Sequence, residues 1–417
     1  MSLLSLFSRK PQTPTAESSL KALRRMAEGG DVEALYCLAE RMEAGQSGLG
    51  KDAFAPDYDE ALRLYRRAAE AGHAEATRCV GRCYERGHGV TADQAEAVKW
   101  YAKAADMGDA KALFNLGVCY QHGHGVAQDA AKAVALYHRS ADLHFPYAHY
   151  NLAACYLQGI GTAPDAAKVH EHLDRALEAG LAEAQVLKGM LLRSGHGVAQ
   201  DDVAAADYFV KAAKQGNADG HFFIGMAYFE GVGVEQNLVI AVDELLEAAE
   251  QGHAEACYVL GRCYSRGEGV AEDELEAADW WQRAADQGHP AALYNLGVCY
   301  LQGLGVVKEP EKGVELLQQA MAAGNPDAAE ALGLCLFAGE GIAKDEAAGA
   351  ALIQQVAEQT HNLSNVEAMR LLGHCYREGH AGIAKDEAKA EHWLARATKQ
   401  AFEQRFEGNN TYQAPQP

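Results

Sequence analysis

The sequence predicts an all-α fold, a solenoid of about ten helical hairpins of ~36 residues each. Three observations predict it. A phrase recurs at one period: Gly81-Arg-Cys-Tyr84, Gly117-Val-Cys-Tyr120, Ala153-Ala-Cys-Tyr156, Gly261-Arg-Cys-Tyr264, Gly297-Val-Cys-Tyr300 and Gly373-His-Cys-Tyr376. Between these phrases the apolar residues fall at helical spacing, and regular glycine turns separate the stretches. The composition agrees: 48% hydrophobic, with 42 Gly and only 10 Pro in 417 residues. Each unit of such an array packs only on its neighbours, so one long chain needs no single large core.

Taken in order, residues 1–15 read as a flexible arm, apolar at first, then basic, then Pro11-Gln-Thr-Pro14. Residues 16–30 carry Leu20, Leu23 and Met26 on one helical face and stop at Gly29-Gly30, a capping helix for the open end of the stack. The units follow at 31–72, 73–108, 109–144, 145–180, 181–216, 217–252, 253–288, 289–324, 325–364 and 365–401, and residues 402–417 read as a disordered tail. Unit 109–144 shows the logic. Ala112, Leu116, Cys119 and Tyr120 share a face of the first helix, and Gly123-His-Gly125 ends it through a left-handed C-cap. Asp129 opens the second helix, whose buried stripe is Ala133, Leu136, Tyr137 and Ala141. Extra residues enter between Gly45 and Ala61, near Thr360-His-Asn-Leu-Ser364 and in Gly379-His-Ala-Gly382. Units 181–216 and 217–252 are the least regular, with Lys188, Leu191, Leu192 and Asn237 at landmark positions, and Glu309-Pro310 alters the eighth unit.

These landmarks, seen together in His253-Ala-Glu-Ala256, Leu260-Gly261, Tyr264, Gly267-Glu-Gly-Val270, Asp273, Ala277, Trp281, Ala284-Ala285 and Gly288, resemble the Sel-one-like repeat, a relative of the tetratricopeptide repeat. The resemblance covers about nine-tenths of the chain. It implies a right-handed α/α superhelix and a role as adaptor or scaffold. The cysteine pairs of secreted relatives are missing, so no extracellular analogy carries over.

The net charge is −21; residues 1–30 contribute +3, leaving −21 − 3 = −24 on 31–417. That field disfavours nucleic acid; it is read either as keeping a large exposed surface soluble or as drawing in a protein or peptide partner that is basic. Cys83, Cys119, Cys155, Cys263, Cys299, Cys335 and Cys375 share one register. Stacked equivalents lie about two helix-packing distances apart, beyond the roughly 7 Å Cα reach of a disulfide. They read as buried, reduced thiols in a cytoplasmic protein. No apolar run is long enough to span a bilayer.

No chemical motif emerges. His88, His124 and His196 occupy one turn position and are read as exposed; stacked turns lie too far apart to share a metal. His170-Glu-His172 lacks the spacing of a zinc-binding pair, and no nucleophile elbow or phosphate loop is present. The expectation is a non-enzymatic scaffold with no cofactor and no metal. A dedicated inhibitor or immunity-type protein occluding a basic enzyme is the alternative, and a hydrolase a more distant one. The candidate groove is the first-helix surface: Arg78, Arg82, Phe114, Asn115, Tyr150, Asn151, Tyr258, Arg262, Tyr294 and Asn295 offer apolar anchors and hydrogen-bonding groups. Leu3, Leu4, Phe7, Arg9 and Lys10 form a second candidate, an arm suited to weak contact with an anionic membrane surface.

Overall fold

A computed structural model describes residues 20–45, 54–360 and 365–407. Twenty-one helices, from Leu20–Glu28 to Glu387–Glu407, account for it, with no β-strand among the described residues. The chain divides into two compact units, 1–184 and 185–417. Within each, consecutive helices pair into hairpins, and each hairpin packs on the next in sequence.

The hairpin of helices Ala110–His122 and Ala130–Asp142 shows how sequence becomes structure. Asp109 caps the first helix, its Oδ1 accepting from Ala112 N at 2.7 Å. Gly123, at φ 77°, closes that helix in the left-handed conformation, and Asp129 Oδ1 accepts from Lys132 N at 2.9 Å to start the second. Ala112, Leu116, Cys119, Ala133, Leu136, Tyr137 and Ala141 are buried, as their spacing requires. Gly117 sits where a Cβ would come within 2.6 Å of the Tyr137 ring, so the absent side chain lets the two helices close around that tyrosine. Gly125 serves stacking instead. At φ +70°, a Cβ there would lie 2.2 Å from the carbonyl of Gln94, the first residue of the preceding hairpin's second helix.

Departures from the repeat have local explanations. Asn237 caps its helix through Oδ1 just as aspartate does. Glu309 makes no side-chain cap, but Pro310 at the first helical position supplies a φ already suited to the helix. Leu191 takes the buried cysteine register, and Lys188 is half-buried. The last helix runs to Glu407, which corrects the expectation of a disordered tail from 402: Gln400 to Glu407 holds neither Gly nor Pro, and the first breaker is Gly408. The arm residues Leu3, Leu4, Phe7, Arg9 and Lys10 and most of the inserted residues of the first and ninth units lie outside the described residues.

Candidate peptide-binding face

Two of the aromatic residues expected in the groove, Tyr258 and Phe114, sit at junctions between hairpins, as do Phe222 and Tyr36. Tyr258 stacks on His289 at 4.8 Å between ring centroids, Phe222 on His253 at 4.4 Å and Tyr36 on His73 at 4.6 Å. Phe114 meets Phe145 edge-on at 5.3 Å. The stacked histidines occupy the N-cap register of the next first helix. In His289, Nδ1 accepts from Ala292 N, and Nε2 lies 2.8 Å from Glu255 Oε2 on the preceding hairpin. His73 and His253 repeat this arrangement, facing Glu33 and Asp219. One ring therefore caps a helix, carries an aromatic and bonds a carboxylate. Its signal was in the sequence, as a histidine at the register of Asp109, but was not read.

The other expected groove residues separate into groups. Arg78 is buried with Nε 3.4 Å from Asp109, and Arg82 pairs with Glu43 at 2.5 Å, so both are engaged within the fold. Tyr150, Asn115 and Asn151 are half-buried, and Asn151 faces the Tyr137 hydroxyl. Arg262 stacks over the Phe229 ring, 5.2 Å from its centroid. Tyr294 and Asn295 line open space.

That space is a row of cavities along the first helices Pro290–Gln302, Ala328–Ala338 and Val366–Glu378. One, of about 230 Å³, is bounded by Ser265, Trp281, Tyr294, Asn295, Val298 and Leu304. The next, of about 370 Å³, shares the walls Tyr294 and Val298 and adds Leu301, Leu334, Phe337 and Leu371. A third, of about 410 Å³, shares Leu334, Phe337 and Leu371 and reaches His374 and His380. Each could take one large apolar side chain. Among the described residues nothing hydrogen bonds the Tyr294 hydroxyl, whereas Tyr65, Tyr101 and Tyr137 donate to Glu43, Glu85 and Gln121. Glu274, Glu340, Glu367 and Glu378 stand around the apolar floor. A further cavity of about 510 Å³ opens among the turns at Gly72–Glu75, Met107–Lys111 and Leu143–Phe145; two of its polar side chains, His73 and Asp109, are already occupied in capping.

The Sel1 repeat family model matches ten times, at 32–73, 74–109, 110–145, 146–181, 182–217, 218–253, 254–289, 290–325, 326–361 and 366–402. The chain belongs to the Sel1 repeat family. Among solved structures it is similar to a protective antigen of uropathogenic Escherichia coli displaying an SLR fold, at 28% identity, TM-score 0.53, over 95% of this chain and 91% of that one. It is also similar to a Sel1 repeat protein from Oxalobacter formigenes, at 29% identity, TM-score 0.52, over 64% of this chain and 98% of that one. No match was found among curated proteins.

The thiols of these Sel1 repeats are buried and protonated. All ten cysteines are free and buried. Burial raises the Cys119, Cys263 and Cys299 thiols to about 11 and Cys83 to about 12, leaving no thiolate at neutral pH. Among the described residues no group of three or more His, Cys, Asp or Glu is placed to hold a metal ion. Of the turn histidines, His124 and His196 are exposed. His88 is not, because its ring stacks on Tyr58 at 4.2 Å.

A second feature escaped the sequence reading. His149 and His172 face each other with Nδ1 atoms 3.1 Å apart, at the registers of Leu113 and Leu136. His138 bonds the Tyr156 hydroxyl at 3.0 Å beside them, and Arg175, Lys168, His144, Asp142 and Glu171 complete the charged surroundings. Burial, with His149 and His138 adjacent, pushes His172 down to about 4, and burial also lowers His149. At least one ring must be neutral: one Nδ1–H donates to the other Nδ1, and two protonated rings would oppose each other.

Among the described residues no helix is long and apolar enough to cross a membrane.

Proposed function

We propose that this Sel1 repeat protein is a non-enzymatic scaffold that holds a segment of a partner protein along the first helices of its repeats from 254 to 378. One observation carries this reading: three cavities share walls in a row, floored by Val298, Leu334, Phe337 and Leu371. A preformed row of pockets lets several modest contacts add without the cost of ordering the receptor. The −24 charge on 31–417 speeds encounter with a partner that is basic overall, and the buried thiols suit a reducing, cytoplasmic setting. The same charge suits a second reading, a dedicated inhibitor covering a basic enzyme.

The test replaces two floor residues that are only half-buried. Val298→Asp with Leu334→Asp should lower the yield of co-purifying partner, captured from native lysate and quantified by mass spectrometry, by at least about tenfold. Helical content should be kept. Undiminished capture by a folded double variant would remove this face from consideration.

A further inference from the structure

The row of cavities has a chemical end. Val298 and Leu334 lie four residues after Tyr294 and Glu330, 36 residues apart, and the residue one period before Val298 is Arg262 on helix Ala254–Arg266. Ser265, on the wall of the first cavity, lies one turn from Arg262 on the same face. Only Arg82 places another arginine at this register.

The two arginines differ in one neighbour. Arg82 Nη2 bonds Glu43 Oε2 at 2.5 Å. Seven residues after Tyr36 stands Glu43; the same register after Phe222 is Phe229. Arg262 therefore lies over a ring where Arg82 meets a carboxylate. Each Nε is buried and without a hydrogen-bond partner, but of the two only Arg82 is in an ion pair. In a chain with 58 Asp and Glu, no carboxylate among the described residues pairs with Arg262. The ring holds the planar fork in place and part of its hydration is already lost, which favours a bidentate carboxylate.

We propose that Arg262 receives a carboxylate of the bound segment, an Asp or Glu side chain next to the apolar side chains that enter the cavities beyond Ser265. The proposal rests on the groove reading and gives it direction: acidic residue at Arg262, apolar anchors toward Leu334 and Leu371. Long-range attraction of a basic partner and one short-range carboxylate contact do not conflict, because the field acts before docking and the guanidinium after it.

The probe is a displayed library of random twelve-residue peptides, selected against the full-length protein. Selected peptides should share an apolar pair and an Asp or Glu at fixed spacing. In resynthesised peptides, changing that residue to Asn or Gln should weaken binding to the native protein about tenfold. Phe229→Glu, which recreates the Arg82–Glu43 pair, and Arg262→Gln should both abolish this preference, each variant then binding the acidic and neutral peptides equally. Equal binding of acidic and neutral peptides by the native protein, with both lost in Val298→Asp/Leu334→Asp, overturns the role of Arg262 and leaves the groove standing. Selected peptides whose binding survives the double variant overturn the groove itself, and the carboxylate site with it.

Discussion

The hairpins 110–142 and 146–178 are neighbours with the same plan and different interiors. In the first, Gly117 admits the Tyr137 ring, whose hydroxyl bonds Gln121 at 2.8 Å, and Leu113 and Leu136 fill the adjoining layer. In the second, Ala153 stands for the glycine, Leu173 for the tyrosine, and His149 with His172 for the two leucines. The repeat therefore conserves shape as a set of pairs. A small residue goes with a large one across the hairpin, and a second layer accepts either two apolar chains or two polar chains that satisfy each other.

The largest effect should come from breaking the first pairing. Gly117→Ala puts a Cβ 2.6 Å from the Tyr137 ring and is expected to cost about 2 kcal/mol, read from the urea midpoint. Adding Tyr137→Leu, which copies the Ala153–Leu173 solution, should recover about half of that, a coupling that independent sites would not show.

The histidine layer should make the second hairpin acid-sensitive. The folded value of His172 is below its unfolded value of 6.5, so the unfolded chain binds the proton first. Stability is complete above pH 6.5 and declines as pH falls from 6.5 toward 4. Between pH 7 and 5 the loss should be about 1–2 kcal/mol, followed by amide hydrogen exchange in residues 146–178. His149→Leu/His172→Leu should remove most of that pH dependence; an unchanged profile would mean other groups dominate acid unfolding. The smallest effect belongs to the hydroxyl: Tyr137→Phe should cost about 1 kcal/mol by the same denaturation measurement, since Gln121 then loses its donor.

Much of this architecture was legible because it depends on residues close in sequence. Asp129 caps a helix three residues on, Gly123 ends one, and the stripe through Leu136 and Tyr137 follows from 3.6 residues per turn. The groove was legible only in part. Tyr294 and Asn295 do line a cavity, while Tyr258, Phe114 and Arg78 meet neighbours 31 residues farther on: His289, Phe145 and Asp109. No spacing within a unit tells which of these side chains a neighbouring hairpin will use.

The sequence by itself determined that the chain is a series of helical hairpins and that its cysteines are core residues. Caps, turns and amphipathic stripes are local, and local interactions repeat whenever the local sequence repeats. Tertiary structure alone decided which side chains of the first helices remain free. Arg82 and Arg262 look alike in their own helices, and only the residue brought beside each from the preceding hairpin, Glu43 or Phe229, makes one a closed ion pair and leaves the other over a ring, with no carboxylate among the described residues at ion-pair distance.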